Sequence, residues 1–381
     1  MRLIFFFFVL ILQSAFTNEP AVLKQRISSS YDYPLEPVSD SSSGVPKGET
    51  EEPYVPNYDY VDLEDMVQDF VLETKKINIP GYPDAFNPSV TRYRGSILVS
   101  FRKYDEITKA TNEIGLVWMD ENFNPVSEPQ FLEIFIQDPF CLSKRQDSRL
   151  ITIGEKLFVV YNNVLMDVVD REVRRMAIAE VHFDGIHFTA DHPDCFVCFE
   201  GMRLDRSEKN WVPFEYNHEL LLSYSIIPHR IMRPLQGKST CETVALTRRS
   251  IKWNWGVLRG GTQAFVVDGN YLAFFHCSKS MATAHSGGKS IPHYFMGAYT
   301  FEKDPPFGLI KISPKPIVGK NFYHGPAYKT WKPLRVVFPA GFVFDDAYIW
   351  VVYGRQDHEI WVVKLEKQKL LASLASVHPT F

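Results

Sequence analysis

Five stretches of the sequence keep one register, and that register restricts the fold more than any other feature of the chain. Ser89 to Phe101, Ser148 to Tyr161, Trp211 to Tyr224, Thr262 to Phe275 and Ala340 to Tyr353 each set turn-forming residues between two alternating apolar runs and close on an aromatic side chain. Their centres read Tyr-Arg-Gly-Ser, Ile-Gly-Glu-Lys, Glu-Tyr-Asn-His, Val-Asp-Gly-Asn and Phe-Asp-Asp-Ala. This is the chemistry of a tight reversal between two strands, so each stretch predicts a β-hairpin. Fourteen residues before the closing aromatics stand Asn87, Asp147, Asn210, Gly261 and Pro339.

Further strand-like runs separate the hairpins: Ile114 to Met119, Met176 to Phe183, Thr243 to Thr247, Tyr294 to Phe301 and Ile360 to Leu365. Each is a candidate for the outer half of a four-stranded unit. Five such units closing on themselves give an all-β fold, a five-bladed β-propeller. A β-sandwich is the alternative for a chain of many strands, but it gives no reason for a fixed register. The stretch Glu366 to Val377 carries Leu370, Leu371 and Leu374 at helical spacing and predicts a short C-terminal helix packed on the last blade.

The amino terminus reads as an address. Arg2 precedes an apolar run from Leu3 to Leu12, and Ser14-Ala15-Phe16-Thr17 supplies small residues for cleavage, so residues 1–17 are expected to be a secretory signal peptide. The apolar stretch falls short of the roughly 17 to 25 residues that span a bilayer, which places cleavage ahead of a signal-anchored membrane protein. The expected compartment is therefore secreted or periplasmic, with membrane attachment only if the segment stays uncleaved. Residues 18–60 are rich in Ser, Pro and acid and show no apolar period. They are expected to form a flexible leader, with residues 61–381 as the propeller and catalytic domain.

Composition narrows the function. A net charge of -4 gives no basis for nucleic-acid binding. The five cysteines include one close pair, Cys195 and Cys198, with no second pair to complete a zinc site, and no metal or cofactor is expected. If the first strand of each blade lines the axis, Asn87, Asp147, Asn210 and Gly261 occupy matching corners of one funnel. Arg102, Asn162, Ser225 and His276, just past the closing aromatics, form a second ring. Two polar rings in an aromatic-rich channel suit a small polyhydroxylated or anionic ligand. Asp147 stands out among them, an acid flanked by basic residues in Lys144-Arg145-Gln146-Asp147-Ser148-Arg149. Taken alone it is either a proton-transfer group or a paired surface charge.

The blade starts Phe86-Asn87-Pro88, Gln146-Asp147-Ser148-Arg149, Glu208-Lys209-Asn210-Trp211-Val212-Pro213-Phe214, Arg259-Gly260-Gly261-Thr262 and Val336-Val337-Phe338-Pro339-Ala340-Gly341 resemble those of glycoside hydrolase family 130. Also similar are His293-Tyr294-x-x-Gly297-Ala298, followed by Asp304-Pro305, and Tyr353-Gly354-x-x-Asp357. The resemblance runs from about Val61 to Leu371. It implies a five-bladed propeller that acts on β-mannosides by a single displacement at the anomeric carbon, as a phosphorylase, a mannosyltransferase or a hydrolase. By the same resemblance Asp147 is the proton donor. Arg149, Lys209, His276 and Arg102 surround phosphate, and Asn87, Asn210, Tyr294 and Asp357 contact sugar. The implied partners are an oligosaccharide or mannoside and inorganic phosphate or a sugar phosphate. A proton donor works best if its site keeps the carboxyl protonated until the leaving oxygen needs the proton.

Two departures from the family's pattern bear on mechanism. Gln146 and Ser148 stand where the family usually has Glu and Pro, and the segment Phe322-Tyr323-His324-Gly325-Pro326 lacks a carboxylate that the family commonly carries there. An inverting hydrolase needs a second carboxyl group roughly 6.5 to 9.5 Å from the first to activate water. The missing acid therefore favours phosphate, or a sugar hydroxyl receiving mannose from mannose 1-phosphate, over an inverting β-mannosidase. A catalytically inactive sugar-binding propeller is the remaining alternative. Trp211, Trp253 and Trp255 read either as sugar platforms or as packing. Arg171 to Arg175 and Arg248-Arg249 read as solvated charge, and His285 to Ser290 reads as a mobile Gly-rich loop near the funnel.

Overall fold

Among the described residues the strands gather into five sheets arranged as five blades, with a further two-stranded sheet that pairs Arg249–Ser250 with His378–Pro379. In the computed structural model the described residues are 59–104, 112–134, 141–166, 171–196, 198–203, 206–328, 330 and 332–379. The expected signal peptide and nearly all of the expected leader lie outside them. Among the described residues no helix is long and apolar enough to cross a membrane.

Each expected hairpin is the inner half of a blade. The innermost pairs are Phe86–Tyr93 with Ser96–Tyr104, Cys141–Ile153 with Lys156–Met166, Val212–Tyr216 with Glu219–Ser225, Phe265–Val267 with Asn270–Met281, and Val337–Phe344 with Tyr348–Arg355. Three of the reversals are built on two consecutive left-handed residues, Arg94-Gly95, Asn217-His218 and Asp268-Gly269. That is the backbone twist a two-residue hairpin needs between right-twisted strands. Neighbouring blades cover the inner strands on both faces, so Phe86–Tyr93 and Val337–Phe344 are buried almost throughout instead of alternating.

The closing aromatics have a packing purpose that explains their regular spacing. Phe101 lies opposite Gly115 on the next strand, Tyr161 opposite Ala177, and Phe275 opposite Gly297. A Cβ on Gly115 would stand 2.2 Å from the Phe101 ring and one on Gly297 2.3 Å from that of Phe275. A small partner thus lets a large ring lie flat on the sheet at these positions, and all three rings are fully buried.

Several strands have no counterpart in the expected runs, whereas the expected C-terminal helix is present. The third blade contains His229–Leu235 between its hairpin and Thr240–Thr247. The last blade takes its outermost strand, Val71–Ile77, from the start of the described chain, where it pairs antiparallel with Glu359–Glu366. That closes the ring, because the first and last blades are then tied by one segment. The C-terminal helix Lys367–Ser373 follows the third strand of the last blade and buries Leu370 and Leu374. Beyond it, Ala375–Ser376 adds to the edge of the fourth blade beside Leu309–Ile312.

Candidate functional site

The inner strands carry an irregularity in the same place in three blades. Pairing shifts between Phe86 and Ser89, between Gln146 and Arg149, and between Pro339 and Gly341. Asn87 and Asp147 sit in two of these bulges, and both are left-handed (φ 46° and 54°), as is Asn210 at the matching point of the third blade (φ 62°). A bulge turns a side chain out of the strict alternation of the strand. Asn and Asp tolerate this conformation better than most residues do. The register seen in sequence is thus a register of aimed polar side chains.

The aim brings them together. Asn87 Nδ2 donates to Asp147 Oδ1 at 2.8 Å, and Asn162 Nδ2 donates to Oδ2 at 3.1 Å. Arg102 Nη1 reaches Oδ1 at 3.3 Å. The Asp147 side chain keeps 13% of its surface accessible and that of Arg102 17%, so the pair lies at a mouth, not in the core. Because the two amides spend their nitrogens on Asp147, their orientation is fixed. Asn87 Oδ1 and Asn162 Oδ1 are then buried acceptors that meet no donor from the protein. A buried carbonyl without a donor costs about 1–3 kcal/mol. Both belong to a site whose donors come with a ligand.

Below this cluster, Arg149 forms a charged floor. It is fully buried, with Nε donating to Gly261 O at 2.7 Å, Nη2 to Asn210 Oδ1 at 3.2 Å and Nη1 to the Asp147 carbonyl. One guanidinium therefore ties the second, third and fourth blades across the axis. Two of its five N–H groups remain for anything above it. Phe338 lies beneath Arg149 at 5.2 Å and Phe86 beneath Arg102 at 4.8 Å, each ring offering its negative face to the cation. Deeper along the axis Gln263 Nε2 donates to Val90 O and Phe342 O, so the axis is crossed by polar side chains.

The electrostatics separate the candidate residues. Burial pushes the Asp147 carboxyl up, but the charges of Arg102 and Arg149, the Asn87 hydrogen bond and the Lys209 charge act the other way. Its pKa ends below the ordinary carboxylate value. The site thus rests with Asp147 ionised, contrary to the expectation of a carboxyl kept protonated. Burial lowers the pKa of Arg149 to about 10 against the opposing pull of Asp147, and that of Arg102 also falls, with Asp147 and Asp357 opposing. His276 differs from the cationic donor expected of it. Burial first, then the charges of Arg259 and Arg149, push it down to about 3, and its Nδ1 lies 2.9 Å from Gly260 O. The ring is neutral with hydrogen on Nδ1, which leaves Nε2 as an acceptor.

The other expected residues fall around this group. Tyr294 stacks on His276, with centroids 6.0 Å apart and planes 10° apart. Asp357 follows Gln356 in another left-handed pair and contributes charge at Arg102. Lys209 is half-buried beside Asn210. Ser225 does not join, since its hydroxyl donates to Pro228 O within its own turn. Close approach of the backbone completes the wall: a Cβ on Gly354 would stand 2.4 Å from Asn87 Oδ1.

Several readings of the sequence are corrected. Arg174 and Arg175 are buried, not solvated. Arg174 Nε donates to Gln146 Oε1 at 3.1 Å, which places its charge against Arg102, and Arg175 donates to Arg206 O. Gln146, standing where the resemblance leads one to expect an acid, is thus the acceptor for a buried arginine. Trp211 is core, stacked with Phe196 and edge-on to Phe199 and Tyr224. Trp253 and Trp255 pack on Phe275 and Phe295. His285 to Ser290 is no mobile loop: Ala284–Ser286 forms a buried turn of 3-10 helix closed by left-handed Gly287. Asn162 and Arg174 are the members of the cluster least accessible to sequence reasoning. Only the register with Arg102 marks Asn162, and nothing local marks Arg174.

No family model matches the chain, and neither does any curated protein sequence. Solved structures do. A member of glycoside hydrolase family 130, the mannoside phosphorylases, which include hydrolases of β-1,2 mannosidic linkages in Candida mannan, aligns over 88% of this chain and 98% of its own. It has a TM-score of 0.53 at 14% identity. The chain has the fold of that family. The β-1,2-mannobiose phosphorylase of Listeria innocua, solved with β-1,2-mannobiose, aligns over 86% and 98% (TM-score 0.51, 13% identity). A mannose phosphorylase of Leishmania mexicana, solved with phosphate, aligns over 81% and 92% (TM-score 0.51, 12% identity). At such identities the likeness concerns the fold, and the chemistry has to be argued from the side chains at the mouth.

Proposed function

We propose that this family-130-like propeller transfers a β-mannosyl group by inverting single displacement, between a mannoside and phosphate or from mannose 1-phosphate to a sugar hydroxyl. The observation that carries the proposal is the Asp147 cluster. A carboxylate, two buried amide carbonyls without donors and the cations of Arg102, Arg149 and Lys209 converge on one mouth. The carbonyls of Asn87 and Asn162 call for hydroxyl donors, and the cations call for an oxyanion. A sugar with a phosphate supplies both.

In this reading Asp147 handles the proton and its charge state follows the substrate. The positive charges that hold its carboxyl acidic are the ones an arriving phosphate neutralises, so phosphate binding raises the pKa and readies the acid for the leaving oxygen. In the reverse direction the resting carboxylate accepts the proton of the acceptor hydroxyl as the mannosyl group leaves phosphate. Arg102 and Lys209 hold the oxyanion, Arg149 supports it from the floor, and neutral His276 accepts a hydroxyl at Nε2. Asn210, Tyr294 and Asp357 complete the sugar-contacting wall.

Hydrolysis fits less well. The carboxylates that reach the segment Phe322 to Pro326 come from the N-terminal side, and both are engaged. Glu64 accepts from the backbone N–H groups of Asn321, Tyr323 and His324, and Asp62 meets the His324 ring. A sugar-binding propeller without catalysis is favoured by one observation, the fourfold engagement of Asp147 when its backbone carbonyl is included. Incubation with β-mannooligosaccharides, with and without phosphate, and separately with mannose 1-phosphate and mannose, decides between them. Turnover that depends on phosphate or mannose 1-phosphate supports the proposal. Binding without turnover in every mixture overturns it, and phosphate-independent release of mannose would establish the hydrolase. We further propose that the N-terminal apolar segment directs the protein into a secretory or periplasmic compartment, which sequencing the mature amino terminus tests. An intact Met1 would sink that idea.

A further inference from the structure

A second cluster lies where the N-terminal segment docks onto the fourth blade and the loop before the fifth. Asp62, the N-cap of the 3-10 helix Leu63–Met66, points its carboxylate between two imidazoles that belong to distant segments. Oδ1 lies 2.9 Å from Nε2 of His285, in the tight turn within the fourth blade, and Oδ2 lies 2.8 Å from Nε2 of His324. The ligand atoms of the three residues all fall within 4.8 Å of one another, and the two rings stand almost perpendicular at 81°. His285 is fully buried, whereas the His324 side chain keeps 30% of its surface.

Hydrogen bonds alone do not satisfy this arrangement. Nε2 of His285 is 2.9 Å from the Leu63 backbone nitrogen, which donates to it, and at the same 2.9 Å from Asp62 Oδ1. If the ring nitrogen accepts from Leu63, its bare side faces a carboxylate lone pair with no hydrogen between them. If it donates to Asp62, the Leu63 N–H points at another N–H. No protonation state of the ring serves both neighbours.

We propose that Asp62, His285 and His324 form a binding site for a zinc-class divalent cation that staples the closing segment of the propeller. Two imidazoles and one carboxylate are the donor set of such sites, and His324 leaves a fourth position open to water. A cation gives the lone pairs of both rings and the carboxylate one common acceptor. A tetrahedral site with bonds near 2.0 Å has ligand atoms about 3.3 Å apart, so the two Asp–His contacts open by about half an ångström, ligand atoms that stand wider within the 4.8 Å limit close toward one another, and the His285 ring moves off the Leu63 amide. The three ligands join the 3-10 helix leading into Val71–Ile77, the fourth blade and the loop before Val337–Phe344. The site is separate from Asp147 and does not rest on the mannosyl reading.

The test uses the full chain, freed of metal by chelation and titrated with zinc by calorimetry and with cobalt by visible absorption. The expected result is one zinc per chain, cobalt d–d bands of a tetrahedral site, and a rise of roughly 5 °C in Tm at a hundredfold excess over Kd. His324→Ala, at a half-exposed position, is expected to weaken zinc at least a hundredfold with an unchanged circular dichroism spectrum. Asp147→Asn leaves zinc binding as it was. The absence of saturable binding by about 0.1 mM zinc overturns the proposal. So does binding that survives His324→Ala, which would place the metal elsewhere, for example at Cys195 and Cys198. Asp62→Asn is a second variant for the same comparison, and if it fails to fold the His324 variant still decides.

Discussion

Asp147, partly exposed at the mouth, and Glu359, buried in the last blade, are both ion-paired carboxylates held below their ordinary pKa, and they do different things. Glu359 lies in the third strand of the last blade. Burial opposes its charge, but Arg355 leads a set of partners that bring its pKa to about 2. Each of them is a protein donor: Arg355 at 2.5 Å, Lys76 and Tyr328 at 2.7 Å and Trp361 at 2.8 Å. Asp147 also has its partners, yet the amides beside it keep unfilled carbonyls, and cations that add to its field, such as Lys209, are not bonded to it. A depressed pKa therefore marks a satisfied charge as readily as a working one. Unfilled groups occur beside both, the Nε of Arg355 next to Glu359 included, so what distinguishes the site is that its unfilled groups are acceptors beside a carboxylate open at the mouth.

The comparison breaks most easily at its two centres. Asp147→Asn should lower turnover by about 10² to 10⁴ in a protein that circular dichroism shows to be folded, since the amide keeps the shape but loses the charge and the capacity to carry the proton. Near-normal activity would reduce Asp147 to a structural acid like Glu359. Glu359→Ala should do the reverse, leaving the Arg355 charge buried and unpaired at a stability cost of about 3–5 kcal/mol. Loss of activity in a protein with an unchanged midpoint would show that Glu359 also belongs to the working site.

The pH dependence sharpens the same contrast. Because the folded-state pKa of Glu359 lies near 2, below the unfolded value of about 4.3, its contribution is fully present above pH 5. It is lost as the pH falls through that window. Urea unfolding of the wild type and Glu359→Gln should converge between about pH 5 and pH 2, and a constant gap would contradict the assignment. At the mouth, Lys209→Ala should raise the KM for phosphate or mannose 1-phosphate by about tenfold, the scale of one charge-assisted contact. His276→Gln should affect sugar affinity and spare the phosphate KM, and a larger effect on phosphate would show that the ring binds as a cation. The smallest effect belongs to an exposed pair. Arg92 and Glu121 bond at 2.7 Å with 39% and 67% of their side chains exposed, and Arg92→Ala should change stability by less than about 1 kcal/mol.

The positions at the mouth were legible because the propeller repeats. Asn87, Asp147 and Asn210 share a distance to their closing aromatic, and the fold converts equal distances into equivalent corners around one axis. Arg174 shows the limit. In Arg171 to Arg175 nothing local distinguishes a solvated charge from a buried one. Its burial goes with Gln146, which accepts from it across the intervening strand Lys156–Met166. The closing strand was hidden for a similar reason: Val71–Ile77 has a half-exposed edge pattern and gains its place only by pairing with Glu359–Glu366, almost the whole chain away.

By itself, then, the sequence determined the blades: turn chemistry, alternating apolar runs and closing aromatics are local, and they specify hairpins wherever they occur. It also proposed which positions reach the axis, because strand register is a matter of counting, although Ser225 at such a position bonds within its own turn. Only the tertiary structure decided that Asp147 rests as a carboxylate, that His276 is neutral and that Asp62 meets His285 and His324. Those outcomes depend on burial and on charges brought together from separate blades, and neither quantity can be counted along a chain.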